Sequence, residues 1–276
     1  MGDTPNPPLK GTLLRISGKR SDRMTLEQPW YQAFFGQDYL DVYGYQFTAE
    51  RAALEADFVI KVLGLRPGDL VLDLCSGQGR HAVPLAEREM HVTALDMSFQ
   101  YLEMAVAAAR ASGVQFATVH ADMRNIPFRD RFDAVINMFS SFGYLESEAE
   151  DERVLASIQR ALRPGGLVLL DLLNRDWVIA NYETEDSHSD PDGTLYLEHR
   201  RLDLETSRNH VSFTVVTPDG VRREVGGHHI RLYTLREVRG MLEEAGLAYE
   251  SVHGGYEDEP YSIETRRMIV VARRPG

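Results

Sequence analysis

Cysteine, lysine and long apolar runs are all scarce in this chain of 276 residues. The one cysteine, Cys75, cannot form an internal disulfide, which favours a reduced, cytoplasmic environment. Lysine occurs only at positions 10, 19 and 61, which excludes P-loop and Tyr-x-x-x-Lys dehydrogenase mechanisms beyond residue 61. The longest apolar runs, such as 167–170, have the length of strands, so we predict no signal peptide and no transmembrane span.

Positive charge is also in short supply. The chain has 30 lysine and arginine residues against 42 aspartate and glutamate residues, a formal net charge of −12. Proteins that bind nucleic acids or anionic membranes contact phosphates through a basic face, so this balance argues against both kinds of partner. No third ligand with suitable spacing accompanies His228 and His229, and we predict no metal site. The expected partner is a small molecule, bound by a monomer or a homodimer.

The most informative stretch, residues 70–86, has the pattern of a strand, a Gly-rich turn and a helix. The apolar run 70–72 ends in Asp73, and Gly77 and Gly79 then open the helix. Glycine allows positive φ angles and lets a ligand lie against the main chain. The stretch therefore predicts a nucleotide-type binding turn, for which there are two candidate ligands.

A dinucleotide is one candidate. Gly77-x-Gly79-x-x-Ala82 satisfies the loose dinucleotide fingerprint, and Asp96 follows where a ribose-binding acid belongs. Asp73 argues against this ligand, because a carboxylate just before the turn would face the pyrophosphate. The same carboxylate suits the ammonium group of S-adenosylmethionine, and a charge-assisted hydrogen bond of that kind is worth about 1.5–3 kcal/mol. We favour S-adenosylmethionine and keep a nicotinamide-dependent oxidoreductase as an alternative.

Five segments of the sequence resemble the motifs of class I S-adenosylmethionine-dependent methyltransferases. Residues 71–80 (VLDLCSGQGR) resemble the first motif, and the others follow in the family's order: 92–98 (VTALDMS), 121–123 (ADM), 132–137 (FDAVIN) and 162–166 (LRPGG). The first motif departs from the family pattern at one position, where Cys75 replaces the first of three alternating glycines. A small side chain is tolerated there, so the departure concerns the shape of the turn.

The resemblance implies an α/β fold: a Rossmann-like, seven-stranded, doubly wound sheet whose last strand is antiparallel and lies between strands five and six. It also implies an enzyme that transfers a methyl group from S-adenosylmethionine to a small-molecule acceptor and leaves S-adenosylhomocysteine. No Asn/Asp-Pro-Pro-aromatic sequence follows strand four, which argues against nucleic-acid and glutamine amino-methyltransferases. A non-catalytic S-adenosylmethionine-binding protein is the alternative from another functional class. Nitrogen, oxygen and carbon all remain open as the acceptor atom.

The cofactor site is expected at the carboxyl ends of the strands, where ligands bind in such sheets. Asp96 is predicted to accept both ribose hydroxyls, because its two oxygens match a vicinal diol. By resemblance, Asp122 accepts from the adenine amino group, while Asn137, Phe139 and Phe142 lie beside the transferring methyl. The predicted cofactor-binding set is Tyr31, Arg51, Asp73, Cys75, Ser76, Gly77, Gly79, Arg80, Asp96, Met97, Ser98, Asp122, Met123, Asn137, Phe139 and Phe142.

The N-terminal part of the chain divides into two segments. Residues 1–24 are rich in Gly, Pro, Ser and charge, and we predict a disordered tail. Residues 25–66 are crowded with aromatic side chains, which are predicted to pack a helix pair onto the main domain. The resemblance to small-molecule methyltransferases implies that this segment is a helical cover from which Tyr31 and Tyr43 reach the methionyl end of the cofactor. Arg51 has two equal interpretations, since it could pair with the cofactor carboxylate or face solvent.

The remaining chain is predicted to form a cofactor domain, residues 67–182 and 234–276, interrupted by an antiparallel β insertion at 183–233. Within the insertion, 183–193 has the composition of a loop, and period-two alternation predicts three or four strands beyond it. We predict that the insertion is a substrate lid, with a dimer interface as the alternative.

Helix start signals occur at several positions. Ser147-x-x-Glu150 and Thr234-x-x-Glu237 are capping-box patterns, which predict helices that begin just after Ser147 and Thr234. Further helices are predicted at 49–63 and 99–111.

Three residues are candidates for a role in catalysis. A base is needed only if the acceptor must lose a proton, and His229 and Tyr144 are the candidate bases. Arg231 is the candidate for holding an acidic substrate, and as it lies two positions from His229 on a strand, both point to one face. The alternative is that His228 and His229 are structural, as paired strand histidines often are.

Overall fold

The computed structural model describes residues 30–276, and the predicted tail at 1–24 lies outside this range. The described chain opens with three helices: α1 (Trp30–Phe34), α2 (Gln37–Tyr43) and α3 (Ala49–Leu63). α3 has the predicted bounds because the Thr48 hydroxyl accepts from the Arg51 amide at one end and Gly64 takes a left-handed φ of 61° at the other. Within residues 30–276, no helix combines the length and apolarity that crossing a bilayer requires.

A seven-stranded sheet forms the centre of the molecule. Its strands are β1 (Leu70–Leu74), β2 (His91–Asp96), β3 (Ala117–His120), β4 (Phe132–Asn137), β5 (Leu162–Leu173), β10 (Ala248–His253) and β11 (Arg267–Arg273). Their spatial order is β10-β11-β5-β4-β1-β2-β3, and β11 is antiparallel to both of its neighbours. This arrangement confirms the predicted fold. The chain runs from β1 through β2 to β3 on one side and then crosses back to β4 on the other side of β1, and this reversal of strand order opens a crevice at the carboxyl ends of β1 and β4.

Five further helices connect the strands: α4 (Ala82–Glu87), α5 (Phe99–Ala111), α6 (Glu148–Ala161), α7 (Arg175–Ala180) and α8 (Leu235–Glu244). The capping box between Thr234 and Glu237 forms as predicted. The one predicted at Ser147 does not, and the Ser147 side chain makes no capping hydrogen bond. The Glu150 carboxylate is instead engaged by the Glu146 amide and by Arg124.

Apolar side chains cover both faces of the central sheet. Val71 belongs to one buried cluster and its neighbour Leu72 to the other, as the alternation of side chains along a strand requires. A sheet buried on both faces explains why β1 is a continuous apolar run up to Asp73. The ligand-binding edge of the sheet therefore rests on a rigid core.

The insertion forms a separate four-stranded antiparallel sheet of β6 (Glu185–Ser189), β7 (Leu195–Asp203), β8 (Arg208–Val216) and β9 (Arg222–Arg231). The prediction of a loop over 183–193 was wrong for β6, a polar and mostly exposed edge strand. β9 runs without a break from Arg222 to Arg231. A Cβ on Gly227 would lie 1.6 Å from the Val211 carbonyl oxygen, so this glycine permits a close approach inside the strand.

One face of the insertion sheet packs on the N-terminal helices. Phe34 of α1 stacks on Phe213 of β8 with ring centroids 6.4 Å apart, and Val42 of α2 joins the same cluster. His228 lies on this face, where the Tyr43 hydroxyl is 2.7 Å from its Nε2. His229, the next residue of β9, also contacts α1, with its ring 4.5 Å from that of Trp30.

Candidate active site

A cavity of about 390 Å³ lies at the carboxyl edge of the central sheet, beneath α1 and α2. Its wall combines the turn after β1, the ends of β2, β3 and β4, and aromatic residues of the N-terminal helices. The lining residues are Tyr31, Phe35, Tyr39, Phe47, Cys75, Ser76, Gly77, Gln78, Arg80, His81, Asp96, Met97, Ser98, Tyr101, Ala121, Asp122, Met123, Met138, Phe139, Ser141, Tyr144 and Leu145.

The turn after β1 opens onto this cavity through left-handed residues. Cys75 has a φ of 62° and Gly77 a φ of 54°, and a Cβ on Gly77 would meet no heavy atom within 4 Å. Gly77 thus leaves free space where a ligand can approach the backbone. Gly79 does not line the cavity, because a Cβ there would lie 3.0 Å from the Ala105 Cβ of α5. The absence of a side chain at Gly79 allows α5 to pack closely against this turn.

Asp96 lies at the centre of the wall, held by backbone donors. Its Oδ2 accepts from the Gly77 amide at 2.9 Å and its Oδ1 from the Ser98 amide at 2.8 Å. Burial raises the pKa of Asp96, and these amide hydrogen bonds oppose the rise. Each oxygen keeps a free lone pair, so the carboxylate can still accept two ligand hydroxyls.

Asp73, in contrast, lies behind the wall. It is 1% exposed and accepts a hydrogen bond from the Ala82 amide at the start of α4, while its Oδ2 has no hydrogen-bond partner in the part of the chain that the structure describes. Burial, together with the charge of Asp96, raises the pKa of Asp73 to about 7. The structure does not bring Asp73 to the cavity surface, where the sequence predicted a contact to the ligand amine.

Arg80 is the cation of the wall, and it is tied to a buried acid. Arg51, Arg80 and His81 all converge on Glu55, at 2.9, 2.9 and 2.8 Å. Although burial raises it, the pKa of Glu55 falls to about 2 because His81 donates to the carboxylate and Arg80 lies beside it. The Arg80 contact is an ion pair without hydrogen-bond geometry, so neither Nη atom has a hydrogen-bond partner among the described residues. Arg51 lies outside the cavity with Glu55 as its partner, an arrangement that neither interpretation from the sequence included.

The end of the cavity near β3 contains Met97, Ser98, Asp122 and Met123. Asp122 accepts hydrogen bonds from the guanidinium of Arg124 in a bidentate pair, with the Arg124 Nε 3.0 Å from the Asp122 Oδ1. Arg124 also reaches the Tyr31 hydroxyl at 3.5 Å and pairs with Glu150. Arg124, which was not predicted from the sequence, links this end of the cavity to α1 and α6.

The opposite end of the cavity is aromatic. Phe139, in a left-handed conformation with a φ of 57°, lies 5.7 Å from Phe47 and 4.8 Å from the Arg80 Cζ. Phe35 contacts both Tyr39 and Tyr144 at 5.1 Å between ring centroids. Phe35, Tyr39 and Phe47 were not predicted as site residues, although the crowding of aromatic residues in this segment indicated that part of it would cover the site.

Two residues predicted beside the methyl group lie in the interior instead. Asn137 is 1% exposed and donates to the Leu74 carbonyl, which ties the ends of β4 and β1 together. Phe142 is 1% exposed and packs against Tyr233, 5.7 Å away. Both therefore contribute to the frame of the cavity, since neither reaches its surface.

The three catalytic candidates are not brought together. Tyr144 lines the cavity, and burial raises its pKa. His229 lies outside it, 4.5 Å from the Trp30 ring and 3.4 Å from an Arg208 nitrogen, and burial lowers its pKa. Arg231 is 9% exposed and pairs with Glu148 and Glu237.

Tyr43 and His228 form a structural contact away from the cavity. Tyr43 was expected to reach the cofactor, but its hydroxyl bonds to His228 within the interface between α2 and the insertion sheet. Burial lowers the pKa of His228 to about 3, so this histidine is neutral at physiological pH. Among residues 30–276, no group of three or more His, Cys, Asp or Glu side chains could hold a metal ion.

Comparison with known proteins agrees with this architecture. Residues 71–166 match the family described as "Methyltransferase domain". Glycine/sarcosine N-methyltransferase of Aphanothece halophytica is 27% identical over 81% of this chain and 83% of its own. A dTDP-3-amino-3,4,6-trideoxy-alpha-D-glucopyranose N,N-dimethyltransferase of Streptomyces venezuelae is 29% identical over 79% of this chain and 93% of its own.

A solved structure of an S-adenosylmethionine-dependent methyltransferase from Clostridium acetobutylicum shares the fold, with a TM-score of 0.73 at 18% identity. The alignment covers 87% of this chain and 99% of that one. The motifs, the sheet order and these similarities lead to one conclusion. Residues 71–166 are a methyltransferase domain, and the chain is an enzyme that transfers a methyl group from S-adenosylmethionine to a small molecule.

Proposed function

We propose that the acceptor atom is the nitrogen of a small-molecule amine and that methyl transfer takes place at the aromatic end of the cavity. The observation that carries this proposal is the composition of that end: Phe35, Tyr39, Phe47, Phe139 and Tyr144. Aromatic faces stabilise a cation, and the product of methyl transfer to an amine is an ammonium ion.

The protonation states and hydrogen-bond partners of the ionisable groups in the wall also favour an amine as the methyl acceptor. Burial raises the pKa of Tyr39 and of Tyr144, so both stay protonated at neutral pH and cannot act as bases. Asp96, Asp122 and His81 also line the cavity, and they are engaged by backbone amides, by Arg124 and by Glu55 respectively. A neutral amine attacks without a base, whereas a hydroxyl needs one.

We propose that the nucleoside part of the cofactor lies against the ends of β2 and β3. Asp96 accepts the ribose hydroxyls with the lone pairs that the backbone amides leave free. Asp122, held by Arg124, accepts the adenine amino group, between Met97 and Met123. The open space over Gly77 and the turn residues Cys75, Ser76 and Ser98 complete this part of the site.

The amino-acid end of the cofactor is assigned to Arg80. Its two buried Nη atoms make no hydrogen bond within residues 30–276 and can donate to a carboxylate, which satisfies donors that are otherwise costly to bury. Tyr31 covers the cofactor from α1, and Asp73, Gly79, Asn137 and Arg51 support the wall from behind.

Bound S-adenosylmethionine supplies a methyl group already activated on a sulfonium. The task of the chain is to orient the amine in line with that methyl group and to exclude water, which can lower the barrier by about 7–11 kcal/mol. The hydroxyls of Tyr39 and Tyr144 orient the amine through hydrogen bonds. The N-methylating activities named for the two relatives above support the same acceptor atom.

A comparison of matched acceptors tests the proposal. Purified protein is incubated with S-adenosylmethionine and a panel of primary amines, each paired with the corresponding alcohol, and mass spectrometry detects the gain of one methylene unit. We expect methylation within the amine set and none within the alcohol set. Methylation of alcohols alone would refute the amine assignment, while leaving methyl transfer itself intact.

We further propose that the acceptor is a free small molecule in the cytoplasm and that nucleic acid is not a partner. The net charge of −12 supports the second point, since phosphate binding needs a basic surface. A monomer or a homodimer is the proposed assembly, and sedimentation equilibrium distinguishes them.

A further inference from the structure

Two consecutive residues at the aromatic end of the cavity have a left-handed backbone although neither is glycine. Phe139 has a φ of 57° and Ser140 a φ of 61°. L-residues avoid this region, so such a pair persists only where surrounding contacts impose it. Strain of this kind next to a binding site indicates a purpose in positioning a side chain.

The contacts that impose the conformation come from Asp171 in β5. The Phe139 amide donates to the Asp171 Oδ2 at 2.8 Å, and the Ser140 amide donates to the Asp171 carbonyl at 2.9 Å. Asp171 is fully buried. One acidic residue therefore binds both strained amides.

Asp171 is in turn held by two residues from the C-terminal part of the chain. The Tyr256 hydroxyl donates to its Oδ2 at 2.6 Å, and the Arg267 Nε donates to its Oδ1 at 2.6 Å. Arg267 also donates to the Ser140 hydroxyl at 3.0 Å. None of these three residues is among the cavity-lining residues, so they act from outside the cavity.

The residue that they hold touches the cation of the wall. The Phe139 ring lies 4.8 Å from the Arg80 Cζ, and Phe47 packs on the same guanidinium at 5.4 Å. We propose that Asp171, Tyr256 and Arg267 form a positioning unit that fixes Phe139 and thereby aims the Arg80 guanidinium at the carboxylate of the cofactor. This inference rests on the role proposed for Arg80.

A merely structural role for the same contacts makes a different prediction. Loosening the end of the sheet would weaken the binding of every ligand of the cavity. Misplacing Arg80 would weaken only those ligands that carry the amino-acid tail. S-adenosylhomocysteine has that tail and 5′-methylthioadenosine lacks it, and both share the nucleoside that Asp96 and Asp122 are proposed to bind.

The test compares the two ligands by calorimetry with the Tyr256→Phe variant, which removes only the hydroxyl that donates to Asp171. We expect the affinity for S-adenosylhomocysteine to fall about fivefold, the size of effect that mutations acting through a neighbour produce. The affinity for 5′-methylthioadenosine should stay unchanged. Tyr249→Phe, on β10 beside Arg239, is the matched control and should alter neither affinity.

A double-mutant cycle shows whether Tyr256 acts through Phe139. Phe139→Ala alone should weaken S-adenosylhomocysteine binding, and adding Tyr256→Phe should cause no further loss, because the two changes interrupt one connection. Equal losses for both ligands, additive losses in the cycle or wild-type affinities in Tyr256→Phe would each overturn the positioning role. Failure of the wild-type protein to bind S-adenosylhomocysteine would instead overturn the cofactor site on which the inference rests.

Discussion

At the scale of the residue, two buried acids at the ends of neighbouring strands have different environments. Asp96 accepts hydrogen bonds from two backbone amides and faces the cavity. Asp73 lies behind the cavity wall, and one of its oxygens has no hydrogen-bond partner among residues 30–276. Hydrogen bonds from amides favour the charged form of a carboxyl group, and burial without them favours the neutral form. Asp96 is accordingly the acid suited to bind ligand hydroxyls.

Replacing Asp96 by Ala is expected to lower the affinity for S-adenosylmethionine by about tenfold or more, since hydrogen bonds to a charged acceptor are worth roughly 1.5–3 kcal/mol. Isothermal calorimetry measures the change. Asp219→Ala, at an exposed turn of the insertion, is the control and should bind like the wild type. Unaltered affinity in Asp96→Ala would refute the ribose assignment.

At the scale of the element, Asp151 of α6 joins the helix to the chain that follows β9. It is fully buried, and its Oδ2 accepts from the Tyr233 hydroxyl at 2.8 Å. Burial raises the pKa of Asp151 to about 7, although the Tyr233 hydrogen bond opposes the rise. The contact between these elements therefore contains a carboxyl group that is protonated in the folded state below neutral pH.

The pH dependence of stability follows from this shift. Between the unfolded pKa, near 3.9, and about 7, the folded protein keeps a proton that the unfolded chain has lost, so stability falls as the pH rises. The contribution of Asp151 has a slope of up to about 1.4 kcal/mol per pH unit. Asp151→Asn should flatten the decline between pH 5 and pH 7 in urea unfolding. A wild-type slope in this variant would contradict the raised pKa.

At the scale of the whole molecule, the insertion supports the cavity indirectly. None of its residues is among the cavity-lining residues. Its apolar face packs instead on α1 and α2 through Phe34 and Phe213, and those helices supply Tyr31, Phe35 and Tyr39 to the wall. The insertion thus holds the cover in place, and the predicted choice of substrate by its inward side chains has no geometric support.

Removing the Phe213 ring should loosen the cover. Phe213→Ala leaves a cavity in a fully buried site, so we expect a loss of about 3–5 kcal/mol in unfolding free energy by urea denaturation. The affinity for S-adenosylmethionine should fall as well, since the aromatic wall depends on α1 and α2. Val221→Ala, 58% exposed in the same insertion, should change neither quantity. Reduced stability with full affinity would show that the insertion is not needed to hold the cover.

Much of the fold was predictable because its signals are local. The helices 49–63 and 99–111 have the predicted bounds, since Thr48 and Ser98 cap them through their own side chains. The strand β6 was missed because its five polar residues carry no apolar alternation, and only pairing with β7 makes them a strand. The Ser147 capping box failed because Glu150 has a partner that is 26 positions away in sequence.

The sequence by itself determined the strands and the motifs that resemble a known family, because apolar patterns and motif spacing are local properties of the chain, and that resemblance predicted the order of the strands in the sheet and the cofactor. Only the tertiary structure decided which side chains face the cavity. His228 and His229 are neighbours in sequence, yet His228 bonds to Tyr43 whereas His229 contacts Trp30 and Arg208. Arg231 pairs with Glu148 and Glu237, and Phe142 packs against Tyr233. Contacts with segments that are distant in sequence, such as those with Glu148 and Tyr233, cannot be predicted from the local sequence pattern.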